Sequence, residues 1–220
     1  MSRKTPTALF VAFAALFLLL CSGCGSGAGH ITTTFTPNYL DSIVTRRFPT
    51  GSTLTYAVVE NNTIPLVRAT SDRDVRLGAE MWKPAIAGRI TLTEVDAGSS
   101  AAGKNPDIAI HLVSINELRA ELTKRGSPSW SDPSIRAYTW HNADADATGV
   151  LTHADVYQDA ALILSPGDTK RFAGHEIGHA LGIFGHSPHS EDLMHSEVPS
   201  PPHPVPTTRD LNTMASIYAR

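Results

Sequence analysis

The chain has 220 residues, enough for one domain of ordinary size with a real core. Its formal charge of −3 gives no electrostatic footprint for nucleic acid. With 41% hydrophobic and 18% charged residues it excludes a disordered chain and reads as globular.

Arg3 and Lys4 precede an apolar run from Ala8 to Leu20. That run is short for a bilayer span and suits the apolar part of a secretion signal. Ser22 and Gly23 then precede Cys24, which resembles the lipobox of bacterial lipoproteins. Bulky Leu20 before Cys21 makes Cys21 the poorer site, and Cys21 stands where the pattern usually has Leu. The resemblance implies a signal peptide at 1–23, a lipidated Cys24 and an extracytoplasmic protein anchored to the cell envelope; the plainer reading is a secretory signal with incidental cysteines. Both cysteines of the chain lie here, so the folded part has no disulfide and no thiolate ligand. Residues 24–49 are rich in Gly, Ser and Thr and read as a tether, ordered at most near its end. The domain is expected over 50–220.

Within it, Ser52 to Glu60 alternates Leu54, Tyr56 and Val58 on one face, as a strand does. Ser71 or Asp72 can cap a helix whose face carries Val75, Ala79 and Trp82, with Pro84 as its end. Ile90 to Val95 and Asp107 to Val113 read as strands, and His111 faces away from Ile108 and Ile110. Strand, helix and strand in that order favour parallel pairing. Asn116 to Arg125 suits a short surface helix. A long loop from Ser127 to Ala147 has room for a short strand at Ala137 to Trp140. Gly149 to Tyr157 and Ala160 to Leu164 look like the last strands. Asp168 or Thr169 then opens a helix, and a capping box at Thr207 and Asp210 opens the final one, with Leu211, Met214, Ala215 and Tyr218 on its apolar face.

The chemistry concentrates in RFAGHEIGHALGIFGHSPHSEDLMHS, Arg171 to Ser196. His175 and His179 are four apart, so on a helix both imidazoles leave one face and can share a zinc at about 2.0–2.1 Å. Glu176 lies about 100° round from His175, placed to reach a metal-bound water without ligating. Ala173, Ile177, Ala180 and Leu181 form the opposite, apolar stripe. Gly182 can turn the chain at the helix end and return a later residue to the metal. Candidates for that third ligand are His186, His189 and Asp192; His186 is nearest in register, Pro188 restricts the route of His189, and Asp192 suits orienting a neighbour.

HEIGHALGIFGHS followed by EDLMHS resembles the metzincin zinc peptidases, most of all their matrixin branch. GAEMWKPAIAGRITLTEV, DIAIHLV and TTRDLNTMASIY are similar to that family's long helix, strands and closing helix. The resemblance implies an α+β catalytic domain: a twisted mixed sheet, an active-site helix, a Met-turn and a C-terminal helix. It implies one catalytic Zn2+ on His175, His179 and His186, Glu176 as general base, and Met194 as the floor under the ligands. The third His stands one residue late, since the family position is Gly185 here. The implied activity is endopeptidase hydrolysis of extracytoplasmic proteins. Its partners are then a polypeptide substrate, bound beside an edge strand expected at Gly149 to Tyr157, and the membrane met through the lipid; a monomer is expected. Glu197 to Pro206 would wall the pocket for the side chain after the cleaved bond. His141, Asp144 and His153 lie where matrixins often hold an additional structural metal, but the pattern is incomplete and a solvated loop is the stronger reading. The alternatives to a peptidase are a surface-anchored, zinc-containing binding lipoprotein, and a zinc site completed by Glu191 or Glu197.

Overall fold

The computed structural model describes residues 31–32, 45–59, 68–96, 105–127, 131–142, 144–160, 168–196 and 205–219. Cys24, the signal segment and most of the presumed pocket wall after Glu197 lie outside them. Among the described residues no helix is long and apolar enough to cross a membrane.

The fold is α+β with one mixed sheet of five strands. Strands β1 (Thr53–Val59), β2 (Thr91–Glu94) and β3 (Ile108–Val113) pair in parallel, with β1 between the other two. Between β1 and β2 run helices α1 (Arg68–Glu80) and α2 (Lys83–Ile86). Helix α1 starts earlier than Ser71, and it ends at Glu80, ahead of Pro84. Pro84 instead sits in the first turn of α2, where its missing N–H is no loss. Trp82 falls between the two helices, fully buried, and donates its indole N–H to Gly174 O at 2.7 Å.

Helix α3 (Ile115–Lys124) opens with a capping box: Ser114 Oγ accepts from Glu117 N, and Glu117 Oε2 accepts from Ser114 N at 2.8 Å. Strand β4 (Ala137–His141), short helix α4 (Ala145–Thr148) and strand β5 (Ala154–Asp159) follow. The sheet order is β2-β1-β3-β5-β4, and only the β4–β5 pair is antiparallel. The edge strands are therefore β2 and β4, and β4 is the one beside β5. The edge expected at Gly149 to Tyr157 is corrected: residues 154–159 are held between β3 and β4, and Val150 forms only an isolated bridge to Arg47.

Alternation divides the sheet into two faces. Ile108, Ile110, Leu112, Ala154 and Val156 are buried on the main core face. The other face carries His111, Val113, Asp155 and Tyr157, with Val113 joined to Leu118 and Leu122 of α3 in a smaller cluster. Helix α5 (Asp168–Ala180) lies on α1 so closely that a Cβ at Gly78 would stand 2.7 Å from Gly174 N. Helix α6 (Thr208–Tyr218) closes the core, and its buried Tyr218 hydroxyl donates to Leu181 O at 2.8 Å. The end of the expected tether joins this core: Phe48 is 1% exposed, Arg47 donates to Ile217 O, and Thr32 N donates to Asn212 of α6.

Candidate metal centre

Helix α5 has the two faces its sequence calls for. Ala173, Ile177, Ala180 and Leu181 are at most 2% exposed and anchor it in the core. Its C-terminus is a Schellman turn: Ile183 N bonds Gly178 O, and Gly182 N bonds His179 O. Gly182 has φ +119, and a Cβ there would collide with Arg46 O. The turn sends the chain back across the helix end and delivers His186.

His175, His179 and His186 converge. His175 Nε2 and His179 Nε2 are 3.0 Å apart, and His179 Nε2 and His186 Nε2 are 3.2 Å apart. Their Nδ1 atoms decide what those contacts mean. His175 Nδ1 lies 2.7 Å from Leu193 O, and His179 Nδ1 lies 2.5 Å from Ile183 O. A carbonyl only accepts, so each Nδ1 carries a proton. In the neutral imidazoles both Nε2 atoms are then bare acceptors with no proton between them. Burial favours that neutral form: it lowers the His175 pKa to about 4 and holds His179 well below the ordinary value. Two such acceptors this close repel unless a cation sits off the line between them, where both can ligate it. Tetrahedral nitrogen donors about 2.0–2.1 Å from zinc stand roughly 3.3–3.4 Å apart, close to the spacing found. The three histidines form a cluster able to coordinate a metal ion.

Asp192, the most distant ligand candidate, is spent elsewhere. It is fully buried and takes bonds from Ser187 Oγ, Thr207 Oγ1 and Arg209. His189 is exposed on the same loop, outside the cluster. Glu191 pairs with Arg209, and Glu197 lies outside the described residues. Met194 is fully buried, its sulfur so near α5 that a Cβ at Gly178 would stand 2.5 Å from it. Asp210 of α6 accepts from Leu193 N at 2.8 Å and from Met194 N at 3.3 Å, which pins this turn beneath the helix.

Glu176 is 6% exposed, and burial raises its pKa to about 7 against the lowering effect of a bond from Thr139. Thr139 Oγ1 stands 2.6 Å from Glu176 Oε2. Thr139 and His141 project from β4 toward α5, and His141 Nε2 donates to His179 O at 3.0 Å. The His141 ring also stacks on Phe184, which carries the Arg46 guanidinium over its face. Sequence reasoning missed Thr139, the bonds of Asp210 to the turn, and the two carbonyls that fix the imidazoles. Alternation along β4 was the available signal for Thr139.

The additional structural metal finds no site at His141, Asp144 and His153. His141 faces α5, Asp144 bonds Asn142, and His153 bonds Pro106 O and Asp155. Among the described residues, His175, His179 and His186 are the one cluster with metal-ligand spacing. No protein-family model and no curated protein matches the chain.

Proposed function

We propose that the chain is a zinc-dependent endopeptidase of extracytoplasmic proteins, related in design to the metzincins and to their matrixin branch. The observation that carries this reading is a three-imidazole cluster next in the helix to a buried carboxyl, with Glu176 Oε1 having no hydrogen-bond partner among the described residues.

His175, His179 and His186 would hold the zinc, which supplies Lewis acidity toward a carbonyl oxygen and toward water. The two main-chain carbonyls keep the ring tautomers that leave Nε2 free to ligate. Glu176 takes the proton from the attacking water and delivers it to the leaving amine. One carboxyl serves both transfers, accepting the proton and then releasing it. Strand β4 offers its outer edge to an extended peptide, which would add to the sheet by main-chain bonds. Cys24 would anchor the enzyme to the envelope membrane. Mass spectrometry of the mature N-terminus tests that, and an unmodified terminus elsewhere rejects it.

The cluster by itself supports metal binding and goes no further. The cluster therefore backs the second reading more directly: a zinc-binding protein with little or no peptidase activity, surface-anchored if Cys24 is lipidated. One experiment separates them: the zinc-loaded chain is incubated with unfolded casein, with and without chelator, beside Glu176→Ala. Chelator-sensitive cleavage that falls at least about 100-fold in a zinc-loaded Glu176→Ala supports the peptidase. Zinc binding without cleavage supports the binding protein.

A further inference from the structure

We propose that Thr139 is a positioning residue, which holds the Glu176 carboxylate in place from the edge strand along which a peptide would lie. This rests on the endopeptidase reading.

Strand β4 alternates: Tyr138 and Trp140 share the face that carries Asp155 and Tyr157, and Thr139 pairs with fully buried Val156 on the core face. The Thr139 hydroxyl reaches two acceptors of one residue, Glu176 Oε2 at 2.6 Å and Glu176 O at 3.1 Å. Bridging a carboxylate to its own main chain restricts the side-chain torsions between them. Thr139 is itself stiff, because a β-branched side chain on a paired strand has few rotamers. The bridge engages Oε2 and not Oε1. Two residues along, His141 makes a second tie to the same helix, at His179 O. The strand is thus fastened to α5 at Glu176 and at His179, one turn of helix apart. The catalytic carboxyl and the edge that would pair with substrate share one frame through this hydroxyl. A Val has the same shape and packs equally well on a strand, but it cannot donate.

The test compares Thr139→Val and Thr139→Ser with the wild type as zinc-loaded full chains. The probe is a fluorogenic peptide selected from a library for cleavage by the wild type. Thr139→Val is expected to lose about 10-fold in kcat with little change in KM, the scale of one charge-assisted hydrogen bond. Thr139→Ser should recover to within about 3-fold, and zinc affinity should stay level in both. In a crystal structure of Thr139→Val the Glu176 carboxylate should leave its place or spread over two rotamers. Wild-type kcat in Thr139→Val, a parallel rise in KM, or an unmoved Glu176 carboxylate would each overturn the assignment. If the wild type cleaves no library peptide, the endopeptidase reading fails, and the position of Glu176 in the two crystal structures alone decides on Thr139. If Thr139→Val does not fold, Thr139→Ala takes its place with the same readouts.

Discussion

Asp210 accepts a hydrogen bond from Leu193 N at 2.8 Å, and the carbonyl of that same Leu193 accepts from His175 Nδ1 at 2.7 Å. One residue thus links a carboxylate on α6 to an imidazole of the three-histidine cluster on α5. Asp210 also accepts from Thr207 N, so it caps its own helix while it fixes the turn. Asp210→Ala should lose about 2–4 kcal/mol of stability, because it leaves several buried N–H groups unsatisfied. It should also weaken zinc binding by about 10–100-fold, the usual range for a residue that orients a ligand. Thermal unfolding and a competitive zinc titration check the two effects. Unaltered zinc affinity in a folded variant would show that Leu193 keeps its place without Asp210.

His186 is the member of the three-histidine cluster that lies off the helix, so its place depends on the turn after Gly182. His186→Ala removes a donor outright and should cost more than about 100-fold in zinc affinity, above the range for indirect ligand support. His189→Ala, changing an exposed side chain outside the cluster, should leave affinity within about 2-fold. The reverse ranking in the same titration would mean that the turn after Gly182 runs differently in solution.

What was legible in the sequence follows from the range of the interactions. The HEIGH spacing places two imidazoles on one helical face by local geometry alone, and Thr207 with Asp210 announces α6 in the same way. The matching signal at Ser114 and Glu117 marks the start of α3 and was passed over. The edge strand was misplaced because its identity depends on pairing. Residues 137–141 lie in a polar stretch, all partly exposed, and only the register Thr139↔Val156 shows that they flank β5. The extent of α1 was misread because Pro84 suits a first turn as well as a stop. The roles of Thr139, Asp210 and Arg46 join residues far apart in the chain, and no local pattern encodes them.

Gly182 is required twice. Its φ of +119 is unfavourable for any residue with a Cβ, and the Cβ itself would meet Arg46 O. Gly182→Ala should therefore lose about 2–4 kcal/mol by strain plus displacement of the 45–48 segment. Zinc affinity should fall with it, since the same turn delivers His186. Gly88→Ala is the control: φ is +71 there, but nothing stands within 4 Å of a Cβ. That variant should show only the conformational loss, about 1 kcal/mol, and unaltered zinc binding. Equal losses at the two glycines in denaturant unfolding would remove the Arg46 contact from the account.

The outer face of the sheet carries a charge cluster with its own pH signature. Asp155 Oδ1 lies 3.1 Å from His111 Nε2 and 3.2 Å from His153 Nε2, and Arg125 donates to Oδ2 at 2.9 Å. Burial pushes the Asp155 carboxyl up, but the three partners outweigh it and hold it far below the ordinary range. The bond to Asp155 raises His153 above 6.5, against partial burial, with help from Pro106 O and Asp107. Tyr157 and Glu121 complete the groups around Arg125. A depressed carboxyl adds stability that is present above its unfolded value of about 3.9 and is lost as pH falls through the folded value. A raised imidazole adds stability that is full below about 6.5 and is lost as pH rises through its folded value. Both contributions are present together near pH 5–6. Asp155→Asn should therefore destabilise the chain more at pH 6 than at pH 9, by about 1 kcal/mol after allowance for the partial exposure of His153. In a His153→Gln background that pH dependence should shrink, with His111 still bonded to the same oxygen. Denaturant unfolding of the four proteins at both pH values measures it, and an equal Asp155→Asn loss at pH 6 and pH 9 would show that His153 gives Asp155 no charged partner.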